Sequence, residues 1–179
     1  QLSGGVEKLF GDAAGKVQSY AQQAFKTAGL STNAYMEQVT GLASALKQSF
    51  GGDAVKAADA ANMAIVDMSD NANVFGSNIR DVQNAYAGFA KQNYTMLDNL
   101  KLGYGGTQEE MKRLIADANA YEKANGRAGD LSIEKFGDVV QAIHDVQEQQ
   151  GIAGDTAEEA GSTVQGSLMM VQGAWENLL

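Results

Sequence analysis

Not one of the 179 residues is proline, whereas 21 are glycine. A loop-rich chain of this length would use several prolines, because the ring pre-sets the dihedral that turns need. Helix interiors are where proline is excluded, since it removes a backbone donor and clashes with the preceding turn. Frequent Ala, Gln, Lys and Glu point the same way. Glycine is left as the main turn residue, able to take left-handed dihedrals without steric cost. The chain is therefore expected to be all-α: about seven short to medium amphipathic helices joined by glycine-rich turns.

The apolar positions agree, recurring at spacings of three and four. Val6, Phe10, Ala13, Val17, Ala21, Ala24 and Ala28 share one helical face that Gly29 can close. Ser31 is a candidate N-cap for a helix striped by Tyr35, Val39, Leu42, Leu46 and Phe50, with Gly51 and Gly52 at its end. Asp53 can cap the next, whose stripe is Ala58, Ala61, Ile65, Met68, Ala72 and Phe75. Within it, "AIVDM" is the best short strand candidate, but its place in the three-four alternation makes it helix. After Gly76 and Ser77 come Ile79, Val82, Tyr86 and Phe89, then a less regular "QNYTMLDNLKL". Met111, Leu114, Ile115 and Ala118 lead to an "NGRAGD" turn; Ile133, Phe136, Val140 and Ile143 form the next stripe, stopped near Gly151. Thr156 and Glu159 have capping-box spacing. A last helix is expected to carry Ala160, Val164, Leu168, Val171, Trp175 and Leu178. Glycine breaks at these intervals favour an antiparallel bundle over one coiled-coil rod. Alanine-rich stripes allow close helix approach while burying little area per turn.

Net charge is −9, which opposes binding to a phosphate backbone, so direct nucleic-acid binding is not expected. Without cysteine there are no disulfides or thiolate metal sites. No apolar run approaches the ~20 residues that span a bilayer.

The glycine cluster Gly103-Tyr104-Gly105-Gly106 before Thr107 raises the possibility of a phosphate loop. Such a loop needs a lysine on the phosphates, and "GYGGTQEEM" puts Gln108, Glu109 and Glu110 there instead. Those carboxylates complement the helix dipole themselves and would repel an anion. Thr107 with Glu110 reads as a T-x-x-E capping box. His144 is the single histidine, without partners for a zinc set; Asp145, next in sequence, points to a different helical face. In "DMSDNAN", an EF-hand counted from Asp67 would require glycine and glutamate where Ala72 and Asn78 stand. No catalytic, cofactor or metal residues are expected, and the seven methionines and Trp175 read as core.

Four stretches carry a resemblance: "AFKTAGLSTNAYMEQVTGLASAL", "AADAANMAIVDMSDNANVFG", "IRDVQNAYAGFAKQNYTMLDNLKLGYGGTQEEMKRLIADA" and "VVQAIHDVQEQQGIAGDTAEEAGSTVQGSLMMVQGAWENLL". In this order, over residues 20–179, they resemble the tail tape measure proteins of long-tailed bacteriophages and prophages. The run from Asn84 to Met111 is the most specific.

The resemblance implies a non-enzymatic structural protein of the phage tail, assembled in the bacterial host cytoplasm and present in the virion. Its length would set that of the tail, and it would leave through the tube as the genome is delivered. Implied partners are the tail tube protein, tail assembly chaperones and baseplate proteins, with several copies in one tube. Residues 1–179 are expected to be one helical domain or a fragment of a much longer chain, since the sequence opens at Gln1 and stops in the apolar-periodic "AWENLL". The motif "KQNYTMLDNLKLGYGGT" makes Tyr104, Gly105 and Gly106 candidate partner contacts. One continuous helix of this length would span roughly 270 Å at 1.5 Å per residue, whereas the glycine breaks imply folding back. Two other classes remain open at this point: a helical interaction module of a bacterial protein, and a cell-wall hydrolase, which soluble products released from peptidoglycan would reveal.

Overall fold

The computed structural model describes residues 2–162. These form α1 (Leu2–Phe10), a 3-10 turn (Gly11–Ala13), α2 (Ala14–Ala28), α3 (Thr32–Ser49), α4 (Ala54–Phe75) and α5 (Ile79–Ala90). A second 3-10 turn (Leu97–Leu100), α6 (Gln108–Ala124), α7 (Phe136–Gln149) and α8 (Asp155–Ser162) follow. Among the described residues there is no strand, and the architecture is an all-α bundle. Of the last expected helix, α8 covers the beginning, while Val164, Leu168, Val171, Trp175 and Leu178 lie outside the described residues.

The helix starts follow the capping chemistry. Ser31 Oγ accepts from the Ala34 amide at 3.1 Å, and Asp53 Oδ1 accepts from that of Lys56 at 3.1 Å. Gly29 and Gly76 close α2 and α4 at φ +65° each, the left-handed turn that glycine enters most cheaply. "AIVDM" lies within α4 as helix.

Two expectations are corrected. The face from Val6 to Ala28 is fully buried, but its helix is interrupted at Gly11, whose φ of +50° leaves the helical region. The α7 stripe begins at Phe136, not Ile133. Ser132 holds the chain in a turn, its amide bonded to Asp138 Oδ2 at 3.0 Å and its hydroxyl accepting from Glu134 N at 3.2 Å. Such local side-chain bonds offer the backbone an alternative to helix.

The bundle is organised around α4, which touches α1, α2, α3, α5, α7 and α8. Its first half is an alanine seam, with Ala57, Ala58, Ala60, Ala61 and Ala64 all buried. Small side chains let several helices approach one axis; the larger apolar area comes from neighbours such as Tyr35, Leu46, Phe89 and Ile143. The second half of α4 is different. Asp67, Ser69, Asp70 and Asn71 are buried there, where α7 and the start of α8 bond to this half of the helix. Pairing α6 with α7 completes the fold, and α6 reaches the bundle through α7.

Candidate functional site

The loop between α5 and α6 holds the most distinctive motif in the chain, and apolar anchors hold it down. Tyr94, Leu97, Leu100 and Leu102 are buried, with exposed Thr95, Asp98 and Lys101 between them. Two non-glycine residues, Gln92 and Lys101, take left-handed φ values of +62° and +55° to let the chain dip inward at these anchors. Asn93 Oδ1 accepts from both the amide (3.0 Å) and the hydroxyl (2.7 Å) of Thr95, an Asx-type turn. Amide side chains from the bundle take up the loop's carbonyls. Asn71 Nδ2 on α4 donates to Leu100 O at 2.8 Å, and Gln150 Nε2 donates to Leu102 O at 2.9 Å.

The glycine cluster closes on α6 in the same manner. Thr107 Oγ1 accepts from the Glu110 amide at 3.1 Å, forming half of the expected capping box. The reciprocal half is displaced: Glu110 Oε1 accepts from the Gly105 amide at 3.0 Å instead of from Thr107. Arg113 then ties Glu110 to the turn, with Nε on Glu110 Oε2 at 2.7 Å and Nη2 on Gly103 O at 2.8 Å. Its guanidinium lies 4.2 Å from the centre of the Tyr104 ring, a cation–π contact. Hydrogen bonds from Arg113 and Gly105 hold the Glu110 carboxyl down to about 2. Tyr104 donates its hydroxyl to Asp117; burial and that carboxylate push the phenol up.

The three candidate contacts differ in what they tolerate. A Cβ on Gly105 would sit 3.6 Å from Glu110 Cγ, an ordinary contact, whereas one on Gly106 would lie 2.3 Å from the Thr95 carbonyl oxygen. Tyr104, Gly105 and Gly106 are all half-buried, so the turn keeps an accessible face. Replacing Thr107 by alanine should cost about 1 kcal/mol, the usual loss of an N-cap. Tyr104→Phe should cost less than about 1 kcal/mol, since the lost bond is exposed. Urea unfolding of both variants measures these losses.

A second group of polar residues lies on the buried half of α4. The Asp70 carboxylate reaches across to the start of α8, accepting from the amides of Gly154 (2.8 Å, Oδ2) and Thr156 (2.9 Å, Oδ1). This corrects the expectation of a capping box at Thr156. The α8 terminus is capped from another helix, and the Thr156 hydroxyl accepts from Asn73 Nδ2 at 2.7 Å. Asn71 Nδ2 also donates to Gln147 Oε1 at 2.9 Å, while Gln147 Nε2 donates to Asp67 O at 3.1 Å.

His144, the single histidine, is partly buried with Nδ1 at 3.0 Å from Asp67 Oδ1. The bond to Asp67 raises the imidazole above its ordinary value, and burial raises the Asp67 carboxyl to about 6. Asp145 faces away from His144, as its position predicts, and is paired with Arg127. An oriented Asp–His pair can hold and pass a proton, but it needs an adjoining cleft to act on a substrate. Two shallow grooves, of about 350 and 340 Å³, run along α6–α7 and along α4–α7, and His144 lines neither.

The buried carboxylates Asp67, Asp70, Glu122 and Asp145 were not apparent from sequence as a group. The first two lie off the Ala58–Phe75 stripe of α4, on faces that an amphipathic surface helix would give to solvent, so periodicity pointed away from their burial. Among the described residues, no group of three or more His, Cys, Asp and Glu side chains could hold a metal ion, and no helix is long and apolar enough to cross a membrane. Compared with protein-family models, curated proteins and solved structures, the chain gives no match.

Proposed function

We propose that this chain is a non-catalytic structural segment of a phage tail tape measure protein, which sets tail length during assembly and is associated with genome delivery. The observation that carries the reading is the ordered series of motifs over residues 20–179, above all Asn84 to Met111. The geometry lends it support in one respect. That stretch is an elaborately tethered loop with an accessible turn at Tyr104–Gly106, a suitable platform for protein contact. On this reading the partners are the tail tube protein, the tail assembly chaperones and baseplate proteins, several copies share one tube, and the site of action is the virion tail.

Two experiments test the reading. The 179-residue chain should copurify with the tail tube protein of the phage or prophage that encodes it. An in-frame deletion of this region in the parent gene should shorten the tails, and unchanged tails would remove the ruler role. The turn can be tested without disturbing the fold, because Gly105→Ala fits its surroundings. A Tyr104→Phe/Gly105→Ala double variant that folds normally but fails in tail assembly would assign the turn to a partner. Normal tails would return it to architecture.

A further inference from the structure

The α6–α7 pair closes over two carboxyl groups that the proposed function does not use. Glu122 on α6 is 6% exposed and Asp145 on α7 is 0% exposed. Asp145 Oδ1 takes two donors, Gln141 Nε2 at 3.0 Å and Arg127 Nη1 at 3.3 Å. The other oxygen, Oδ2, is buried, and no amide, guanidinium or hydroxyl reaches it. The Glu122 carboxyl lies beside the Asp145 carboxyl. Two ionised carboxylates in such a contact would repel each other in a poorly solvated place and leave Oδ2 unsatisfied. A single proton resolves both problems, because a protonated carboxyl becomes a donor.

We propose that Glu122 holds a proton against Asp145 and that this proton latches α6 onto α7, so that its loss loosens the pair. A metal ion is a poor substitute. Hard divalent cations take six or more oxygens, and the Arg127 guanidinium already occupies the approach to Oδ1. Arg127 cannot replace the proton either, since it is 41% exposed and engages only one of the four carboxyl oxygens.

Other groups face the pair from each side. The connecting loop contributes Arg127 and the Gly129 amide, both of which favour the ionised Glu122 carboxyl. On α7 itself, His144 turns to Asp67 but lies within electrostatic reach of Glu148 and Asp145. On the far side of α7, α4 presents Asp67, bonded to His144, and Asp70; Tyr86 of α5 faces both of these carboxyls. The bond to Asp145, then burial, raise the Glu122 carboxyl from 4.5 to about 7. Folded protein thus keeps a proton that the unfolded chain has shed. Its stabilisation is full below about pH 4.5 and is lost as pH rises through about 7. The Asp67–His144 pair also titrates toward lower stability as pH rises, so the latch must be isolated by difference.

Thermal melting of the 179-residue chain between about pH 5 and pH 8, beside Glu122→Gln, provides that difference. Glutamine keeps a donor toward Asp145 without a titrating group. The expected result is a melting temperature that falls more steeply with pH in the wild type, by up to about one linked proton over the interval. Parallel curves overturn the proposal. Carbon-13 NMR titration of the wild-type Glu122 carboxyl needs no variant: a midpoint near neutrality, returning to the ordinary glutamate range in Asp145→Asn, is expected. A midpoint in the ordinary range in the wild type overturns the latch.

Discussion

Replacing Asp70 by alanine should lower the unfolding free energy by about 3–5 kcal/mol, because it removes two charge-assisted bonds and strands two amides. Asp70 is fully buried, and its carboxylate supplies the acceptors for the amides of Gly154 and Thr156 at the start of α8. Alanine also leaves a space beside Asn71 that the packed α4 backbone cannot collapse to fill. Asp70→Asn should recover part of the loss, since its single carbonyl oxygen can serve one amide. Urea unfolding measures the total. Hydrogen exchange locates it: the Gly154 and Thr156 amides should lose protection first, before those of α7. An alanine variant within 1 kcal/mol of wild type (roughly the value of one neutral hydrogen bond) would show that the clasp is dispensable.

Gly106→Ala should be the most damaging change in the glycine-rich turn, costing about 2–4 kcal/mol by forced backbone movement. The new Cβ would meet the Thr95 carbonyl oxygen at 2.3 Å and Asp98 Oδ1 at 3.3 Å. A carbonyl cannot rotate aside like a side-chain tip, so the loop between Tyr94 and Leu100 must lift. Its buried anchors, Leu97 and Leu100, would then be drawn from the core. Gly105→Ala is the matched control, with its nearest neighbour at 3.6 Å and an expected effect below about 0.5 kcal/mol, as for a surface substitution. Equal losses for the two variants would mean that the loop yields freely and that Gly106 is not fixed by Thr95.

This contrast shows which parts of the molecule could be read from the chain. Helix positions were legible because capping and periodicity are local. Ser31, Asp53, Gly29 and Gly76 act within a few residues of themselves, and the apolar stripes need only three-four spacing. What escaped is non-local. Gly106 looks like any flexible turn residue until Thr95 is brought over it, and Thr156–Glu159 looks like a capping box until Asp70 arrives from another helix. Likewise, nothing in the spacing of Glu122 and Asp145 announces their contact. The expected half of the Thr107–Glu110 box formed because it spans three residues. Its other half was won by the Gly105 amide, which the fold of the turn places within reach of Glu110.

The position of the Asp70 clasp has a mechanical consequence. A pull applied beyond α8 would peel that helix from α2 and α4 toward its start, where the load meets two short bonds anchored in the central helix. Only after they part can tension travel into α7 and the α6–α7 pair. The chain thus carries a detent between its last described helix and the rest of the bundle. A force-extension trace should pause there, with a short first release followed by a longer one, and Asp70→Ala should merge the two.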